Sequence, residues 1–278
     1  METAGKADFT TVYTQPDPRA YYESLRSLDY EIPAHGCQVF SSVIDQLPTD
    51  DGQPTVLDLC CSYGINAALL NHSVSLEELE AHYAAGDGLS REALVERDRS
   101  WFAATRRADA VGVVGIDVSE PAISYASDAG LLSGGIVADL ETERLSDCDA
   151  TMISNVDLVT VTGGIGYVNE RTFEQILDAT DDPPWVAALS LRWIDFEPIA
   201  KTLDQQGLVT EKLDGYLAPQ RRFADHAEEA FVMEELASLG VDPSSVEQNG
   251  YHCAELYVAR PADAVDHLPL DRLLDDLV

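Results

Sequence analysis

Lysine is nearly absent from this sequence. Only Lys6, Lys201 and Lys212 are present, and 17 basic side chains in all stand against 50 acidic ones, a formal charge of −33. A surface of that sign repels nucleic-acid phosphates, because duplex binding needs clustered cationic side chains. It is also pushed away from anionic membranes. Nucleic acid and membrane are therefore not expected partners. Two readings of the acidity stay open. A solvated acidic surface favours solubility at some cost in self-repulsion, whereas adaptation to a salt-rich cytoplasm would screen that repulsion and make the protein halophilic.

Long apolar runs are missing too, so no membrane span is expected. The first 25 residues, METAGKADFTTVYTQPDPRAYYESL, have no basic start, apolar stretch or small-residue cleavage site. They do not read as a secretory signal, and the expected location is cytoplasmic. The five cysteines, Cys37, Cys60, Cys61, Cys148 and Cys253, form no CxxC pair and read as reduced thiols. Six scattered histidines form neither HxxxH nor HExxH, so no metal site is expected.

What the chain does have is short apolar strands alternating with helical patterns. Strands are expected at Thr55–Leu59, Val111–Asp117, Ile136–Asp139, Asp157–Thr162, Trp185–Leu191, Leu208–Leu213 and Cys253–Ala259. Helices are expected near 65–70, 120–129, 170–179, 197–205 and 227–239, with two more in the first 50 residues. The segment 49–54 reads as a loop. Residues 73–107 form a charged, helix-prone stretch with a capping box at Ser75–Glu78 and a second helix start at Ser90. The pattern predicts one doubly wound α/β sheet with helices on both faces. Residues 1–50 would form an N-terminal helical lid, 51–261 the main domain with a helical insertion at about 73–107, and 262–278 an acidic tail.

Ligands of an open α/β sheet bind outside the carboxyl ends of the strands, and four segments fall there. The first is Val56-Leu57-Asp58-Leu59-Cys60-Cys61-Ser62-Tyr63-Gly64. The second is Val113-Val114-Gly115-Ile116-Asp117-Val118-Ser119, where Asp117 either accepts two hydrogen bonds from a ribose diol or caps the next helix. The third, Val137-Ala138-Asp139-Leu140-Glu141, offers a carboxylate that could instead cap its own turn. The fourth runs from Asp157 through Thr162, Gly163 and Gly164 to Tyr167.

In order and spacing these segments resemble the class I S-adenosylmethionine-dependent methyltransferases, over about Thr55 to Ala259. The first motif of that family usually reads VLDLGCGTG; here Cys60 and Ser62 replace two glycines and Gly64 remains. The loop must therefore use ordinary dihedrals at both sites or absorb a left-handed conformation costing roughly 1–2 kcal/mol each. The resemblance implies a Rossmann-like seven-stranded sheet with the last strand antiparallel, and S-adenosylmethionine as cofactor. It implies that the methionine moiety lies near Asp58, Cys60, Ser62 and Gly64, and the adenosine between Asp117, Val118, Asp139 and Leu140. Thr162 and Gly163 would border the reacting sulfonium.

No DPPY or NPPY follows the fourth strand, where family members that methylate amino groups on DNA bases carry one, and no histidine sits there as a base. A small-molecule acceptor is expected. Candidate substrate or lid residues are Tyr13, Tyr21, Tyr22, Tyr30, Arg192 and the segment Gln220–Phe223, with Tyr167 the candidate for a catalytic role. Tyrosine rings could surround a sulfonium by cation–π attraction or simply pack on the sheet. Arg192 and Arg221 could hold a substrate carboxylate or pair with neighbouring acids. Three functions remain open: methyl transfer to N or O; cyclisation of the cofactor to azetidine-2-carboxylate and methylthioadenosine; and cofactor binding without catalysis. The oligomeric state is not legible.

Overall fold

The apolar runs become strands whose alternate residues face opposite layers. In the computed structural model, which describes residues 10–48 and 52–277, β1 (Thr55–Leu59) sends Val56 into one core and Leu57 and Leu59 into the other. The same alternation splits Val113 from Val114 and Ile116 in β2 (Gly112–Asp117), and Leu158 from Val159 and Val161 in β4 (Leu158–Thr162). That period of two gives a sheet covered on both sides. The remaining strands are β3 (Gly134–Val137), β5 (Trp185–Leu191), β6 (Leu208–Lys212), β7 (Ala218–Arg222) and β8 (Tyr251–Pro261). The loop expected at 49–54 lies partly outside the described residues.

The strand order is β3-β2-β1-β4-β5-β8, with β6 and β7 both paired to β8. Strands β1 to β5 run parallel to one another, and β8 runs antiparallel to β5. The sheet thus has seven positions with an antiparallel last strand, as the family resemblance implies, but the outermost position is shared. β6 pairs with residues 257–261 of β8, and β7 with residues 251–254, so the edge strand is interrupted between Lys212 and Ala218. β7 was not expected, because APQRR carries a proline, two arginines and no apolar alternation.

Helices Ile65–Asn71, Glu120–Asp128, Glu170–Ala179, Glu197–Gln205 and His226–Ser238 fill the expected places. An additional helix, Asp147–Ile153, is capped by Ser146 and buries only Ile153, so no apolar stripe announces it. In the acidic C-terminal tail Ala262–His267 buries nothing, but Leu270, Leu273 and Leu274 enter the core.

The insertion is two helices, Leu76–Ala84 and Arg91–Thr105. Ser75 and Glu78 form the reciprocal capping box, and Ser90 caps the second helix. Chain entry and exit lie side by side, since Ser73 N–H donates to Thr105 O at 2.7 Å and Arg107 N–H to Asn71 O at 2.8 Å. A stretch that leaves and returns at one point lengthens the path from β1 to β2 without disturbing their pairing. The N-terminal helices Arg19–Arg26 and Ile32–Ile44 pack on the same side of the sheet as Val56. Gly36 permits this closeness: a Cβ there would stand 2.6 Å from Thr162 Cγ2.

Candidate functional site

The chain turns in opposite directions from β1 and β4, which are neighbours, so their carboxyl ends border the crevice in which an open α/β sheet binds ligands. Asp58 lies near the end of β1, in register with Gly115 of β2 and Thr160 of β4. Its side chain is fully buried. One oxygen, Oδ1, accepts from Asn66 Nδ2 at 2.8 Å and Thr160 Oγ1 at 3.0 Å. The other, Oδ2, has no partner among the described residues. Burial pushes the carboxyl pKa up to about 7; the Asn66 and Thr160 hydrogen bonds oppose this, and the charge of Asp117 adds to it. A buried carboxylate oxygen left bare is costly unless a donor or cation reaches it.

Asn66 also donates to Thr162 Oγ1 at 3.0 Å, so Thr160, Asp58, Asn66 and Thr162 form one chain of hydrogen bonds. Neither Asn66 nor Thr160 was singled out from sequence. A signal existed in the helix INAALLN, where Asn66 is a buried polar residue within the first turn.

The loop after β1 answers the question its missing glycines pose. Cys60 has φ 56°, Ser62 φ 50° and Gly64 φ 78°, so both replacements sit in the left-handed region. The loop absorbs the cost, roughly 1–2 kcal/mol per residue. Its amides are tied to the end of β2: Cys61 N–H donates to Ile116 O at 3.2 Å, and Ser62 N–H to Asp117 Oδ2 at 2.9 Å. Cys61 Sγ occupies the space beside Gly115, where a Cβ would stand 2.5 Å away, and Cys60 Sγ lies against Gly164 in the same manner at 2.9 Å.

Asp117 accepts a second backbone bond through Oδ1, from Ser119 N–H at 2.9 Å. Burial raises its pKa, against the lowering effect of these backbone hydrogen bonds. Each oxygen keeps a lone pair, since an ionised carboxylate offers about four acceptor sites. Next to it, Val118 is 67% exposed and Val137 at the end of β3 is 47% exposed. Asp139 is occupied locally: Oδ1 accepts from Glu141 N–H at 3.1 Å and Oδ2 from Thr142 Oγ1 at 2.8 Å, the turn-capping arrangement. Leu140 is buried in the core.

The N-terminal segment is fastened to this loop. The Tyr63 hydroxyl reaches Gln15 O at 2.8 Å and Val12 O at 3.2 Å, and Ser119 Oγ donates to Tyr13 O at 2.6 Å. Arg91 of the insertion holds Pro16 O at 3.1 Å, and Arg19 reaches Gly86 O and Leu89 O, each at 3.1 Å. Tyr21 is a hub, with the rings of Tyr13, Tyr22, Tyr30 and Tyr63 edge-on within 6.2 Å. Buried in that way, Tyr21 and Tyr22 pack the cluster, while Tyr13 and Tyr30 stand at its margin. Burial pushes the Tyr30 pKa up to about 12, with Arg221 lowering it and Asp58 and Tyr167 raising it. Burial likewise lifts Tyr13, which also feels Tyr30, Tyr167, Asp117 and Arg221. Tyr13 thus feels Asp117, Tyr30 feels Asp58, and both tyrosines feel Tyr167.

Gln220 on β7 completes the surroundings. It is buried, and its Nε2 lies 2.4 Å from where a Cβ of Gly163 would sit, so glycine at φ 69° is needed there. Arg221 is buried in a two-pronged pair with Glu228, at 2.7 and 2.8 Å. Arg192 is held by Glu247 at 2.9 Å, Glu255 at 3.3 Å and Asp242 O at 3.2 Å. Both arginines therefore carry the ion-pair role rather than presenting a free guanidinium fork to a substrate carboxylate. No described helix is long and apolar enough to cross a membrane.

No protein-family model matches the chain, and no curated protein matches its sequence. Solved structures do match. A TehB-like SAM-dependent methyltransferase from Corynebacterium glutamicum is 13% identical, covering 78% of this chain and 85% of that one, with a TM-score of 0.39. The plantazolicin methyltransferase BpumL, in complex with a monoazolic desmethylPZN analog and SAH, is 12% identical, covering 91% and 93%, with a TM-score of 0.42. The YcgJ protein from Bacillus subtilis is 10% identical, covering 82% and 98%, with a TM-score of 0.44. Class I SAM-dependent methyltransferases recur among the structural matches, over most of the chain and at low identity.

Proposed function

We propose that this protein is an S-adenosylmethionine-dependent methyltransferase acting on N or O of a small molecule. The observation that carries the reading is the bare Oδ2 of fully buried Asp58, held at the mouth of the sheet by Asn66 and Thr160. An oxygen so placed suits a cationic group, and the cofactor carries an ammonium on its methionine end. Asp117, with lone pairs left beyond Ser62 and Ser119, suits a ribose diol. The open apolar side chains of Val118 and Val137 suit the flat adenine. The residues present therefore fit the group.

The cofactor supplies an already activated methyl. The chain's own work is alignment and exclusion of water. Asp58 would orient the amino-acid end and Asp117 the sugar. Tyr13, Tyr30 and Tyr167 would surround the sulfonium side, where their faces favour a cation. Thr162 and Gly163 would leave room for close approach, and Gln220 would offer its amide to the acceptor.

The test is incubation of the purified protein with S-adenosylmethionine alone, at low and high salt, followed by mass spectrometry. Binding without consumption is the expected result, with S-adenosylhomocysteine appearing once candidate acceptors are added. Methylthioadenosine released without an acceptor would replace this reading with intramolecular cyclisation. Failure to bind would remove the cofactor assignment altogether.

A further inference from the structure

Ser62 is unfavourable on two independent counts. Its backbone is left-handed, at φ 50°, where glycine would sit without strain. Its Oγ is also buried and without a partner among the described residues, the residue being only 5% exposed. Glycine would remove both costs at once. A buried hydroxyl ordinarily finds a hydrogen bond, and a strained non-glycine residue persists where the surroundings or a function demand it. Within the described residues nothing repays the side chain: the bonds that Ser62 makes here, from its N–H to Asp117 Oδ2 at 2.9 Å and to its carbonyl from Cys61 Sγ at 3.7 Å, use backbone groups that glycine has too.

Position narrows what the hydroxyl is for. The Ser62 amide shares the Asp117 carboxylate, so Ser62 stands on the nucleoside side of the loop. The second orphaned oxygen of this segment, Asp58 Oδ2, stands at the end of β1. From this geometry we infer that the Ser62 hydroxyl is a ligand-binding group that hydrogen-bonds a ribose hydroxyl of the bound nucleoside, beside Asp117. The inference rests on the cofactor reading above and deepens it. The serine trades stability of the free protein for grip on the sugar, and it supplies through a side chain what a glycine loop can offer only through its backbone.

The experiment compares wild type, Ser62→Gly and Ser62→Ala in two measurements: the thermal midpoint without ligand, and calorimetric titration with S-adenosylhomocysteine. Ser62→Gly should raise the ligand-free midpoint by about 2–4 °C and weaken binding roughly tenfold, the loss of about one hydrogen bond. Ser62→Ala keeps the backbone strain, so it should weaken binding to a similar degree without the full gain in midpoint. A merely structural serine predicts no loss of affinity in either variant. Equal or tighter binding by Ser62→Gly, with wild type still binding, overturns this inference and leaves the cofactor reading standing. A wild-type protein that does not bind overturns both.

Discussion

Asp98, on the second inserted helix, accepts a 2.7 Å hydrogen bond from the hydroxyl of Tyr125, on the helix that follows β2. The same carboxylate is reached by His82 Nε2 at 2.7 Å, and the His82 ring stacks on Trp101 at 3.9 Å. Tyr125 in turn lies edge-on to Tyr63, whose hydroxyl holds the N-terminal segment. The insertion is therefore wired to the loop after β1 through two rings and one buried acid. Burial alone would raise the Asp98 pKa, but hydrogen bonds from His82, Tyr125 and Tyr83 together hold it below the usual value.

Removing that acid should be among the most damaging single changes in the molecule. Asp98→Ala leaves buried donors without an acceptor and should cost about 3–5 kcal/mol, whereas Tyr125→Phe should cost about 1–2 kcal/mol. Denaturant unfolding at neutral pH measures both. Since the folded pKa is depressed, the contribution is fully present above the unfolded value of about 3.9 and is lost as pH falls through the folded value. Equal stability of Asp98→Ala and wild type at pH 7 would contradict the coupling.

How much of this was legible beforehand depends on the range of the determining interaction. Asp58 and Asp117 were visible because one is the lone acid inside the apolar run TVLDL and the other ends the run before Val118, and run ends map to strand ends wherever strands alternate with helices. The insertion was visible because Ser75 and Ser90 are local caps. β7 was not, because its pairing is paid for by β8 and by the N-terminal turn (Glu31 N–H to Gln220 O, Arg222 N–H to Leu28 O) rather than by its own composition. The left-handed Cys60 and Ser62 were posed as one of two outcomes, and the long-range ties to Ile116 and Asp117 accompany the strained one. The pairings of Arg192 with Glu247 and Arg221 with Glu228 likewise join segments that only the fold brings together.

Asp117 has two duties that mutation can separate. Asp117→Ala removes the proposed ribose acceptor and should weaken S-adenosylhomocysteine binding by about 1.5–3 kcal/mol, the range for hydrogen bonds to a charged group. It also strips the acceptor from Ser62 N–H and Ser119 N–H, so the ligand-free protein should lose stability as well. Asp117→Asn keeps an acceptor oxygen for one of these amides and should be milder on stability than on affinity. Calorimetry and thermal melts on the two variants decide it, and an unchanged dissociation constant in Asp117→Ala removes the ribose assignment.

Tyr63→Phe tests whether the N-terminal segment acts as a lid. The change deletes the hydroxyl that reaches Gln15 O and Val12 O but keeps the ring between Tyr21 and Tyr125. Losing one neutral hydrogen bond is worth about 1 kcal/mol, or roughly fivefold in the stability of the closed position. Stopped-flow displacement should therefore show bound S-adenosylhomocysteine leaving roughly fivefold faster, with little change in the global melting temperature. Unaltered dissociation would mean that the segment does not gate the site.

Asp58 gives the site a pH dependence whose sign can be worked out. Its folded pKa, about 7, lies above the unfolded value near 3.9, so between those values the folded protein holds a proton that the unfolded chain has released. Stability from this group is thus lost as pH rises from about 4 to about 7. Ligand binding should move the opposite way, because the ammonium of S-adenosylmethionine favours the carboxylate at Oδ2. Affinity should climb by up to about tenfold per unit as pH rises toward 7, and fall again above about pH 8 as the ligand's own ammonium loses its proton. Methylthioadenosine, which lacks the amino-acid end, should bind with no such slope, and Asp58→Asn should flatten the profile for S-adenosylmethionine. Asn66→Ala removes a hydrogen bond that lowers the Asp58 pKa, so the bend should shift to higher pH. Titrations of both ligands from pH 5.5 to 8.5 make the comparison, and a wild-type profile equally flat for both would detach Asp58 from the ammonium.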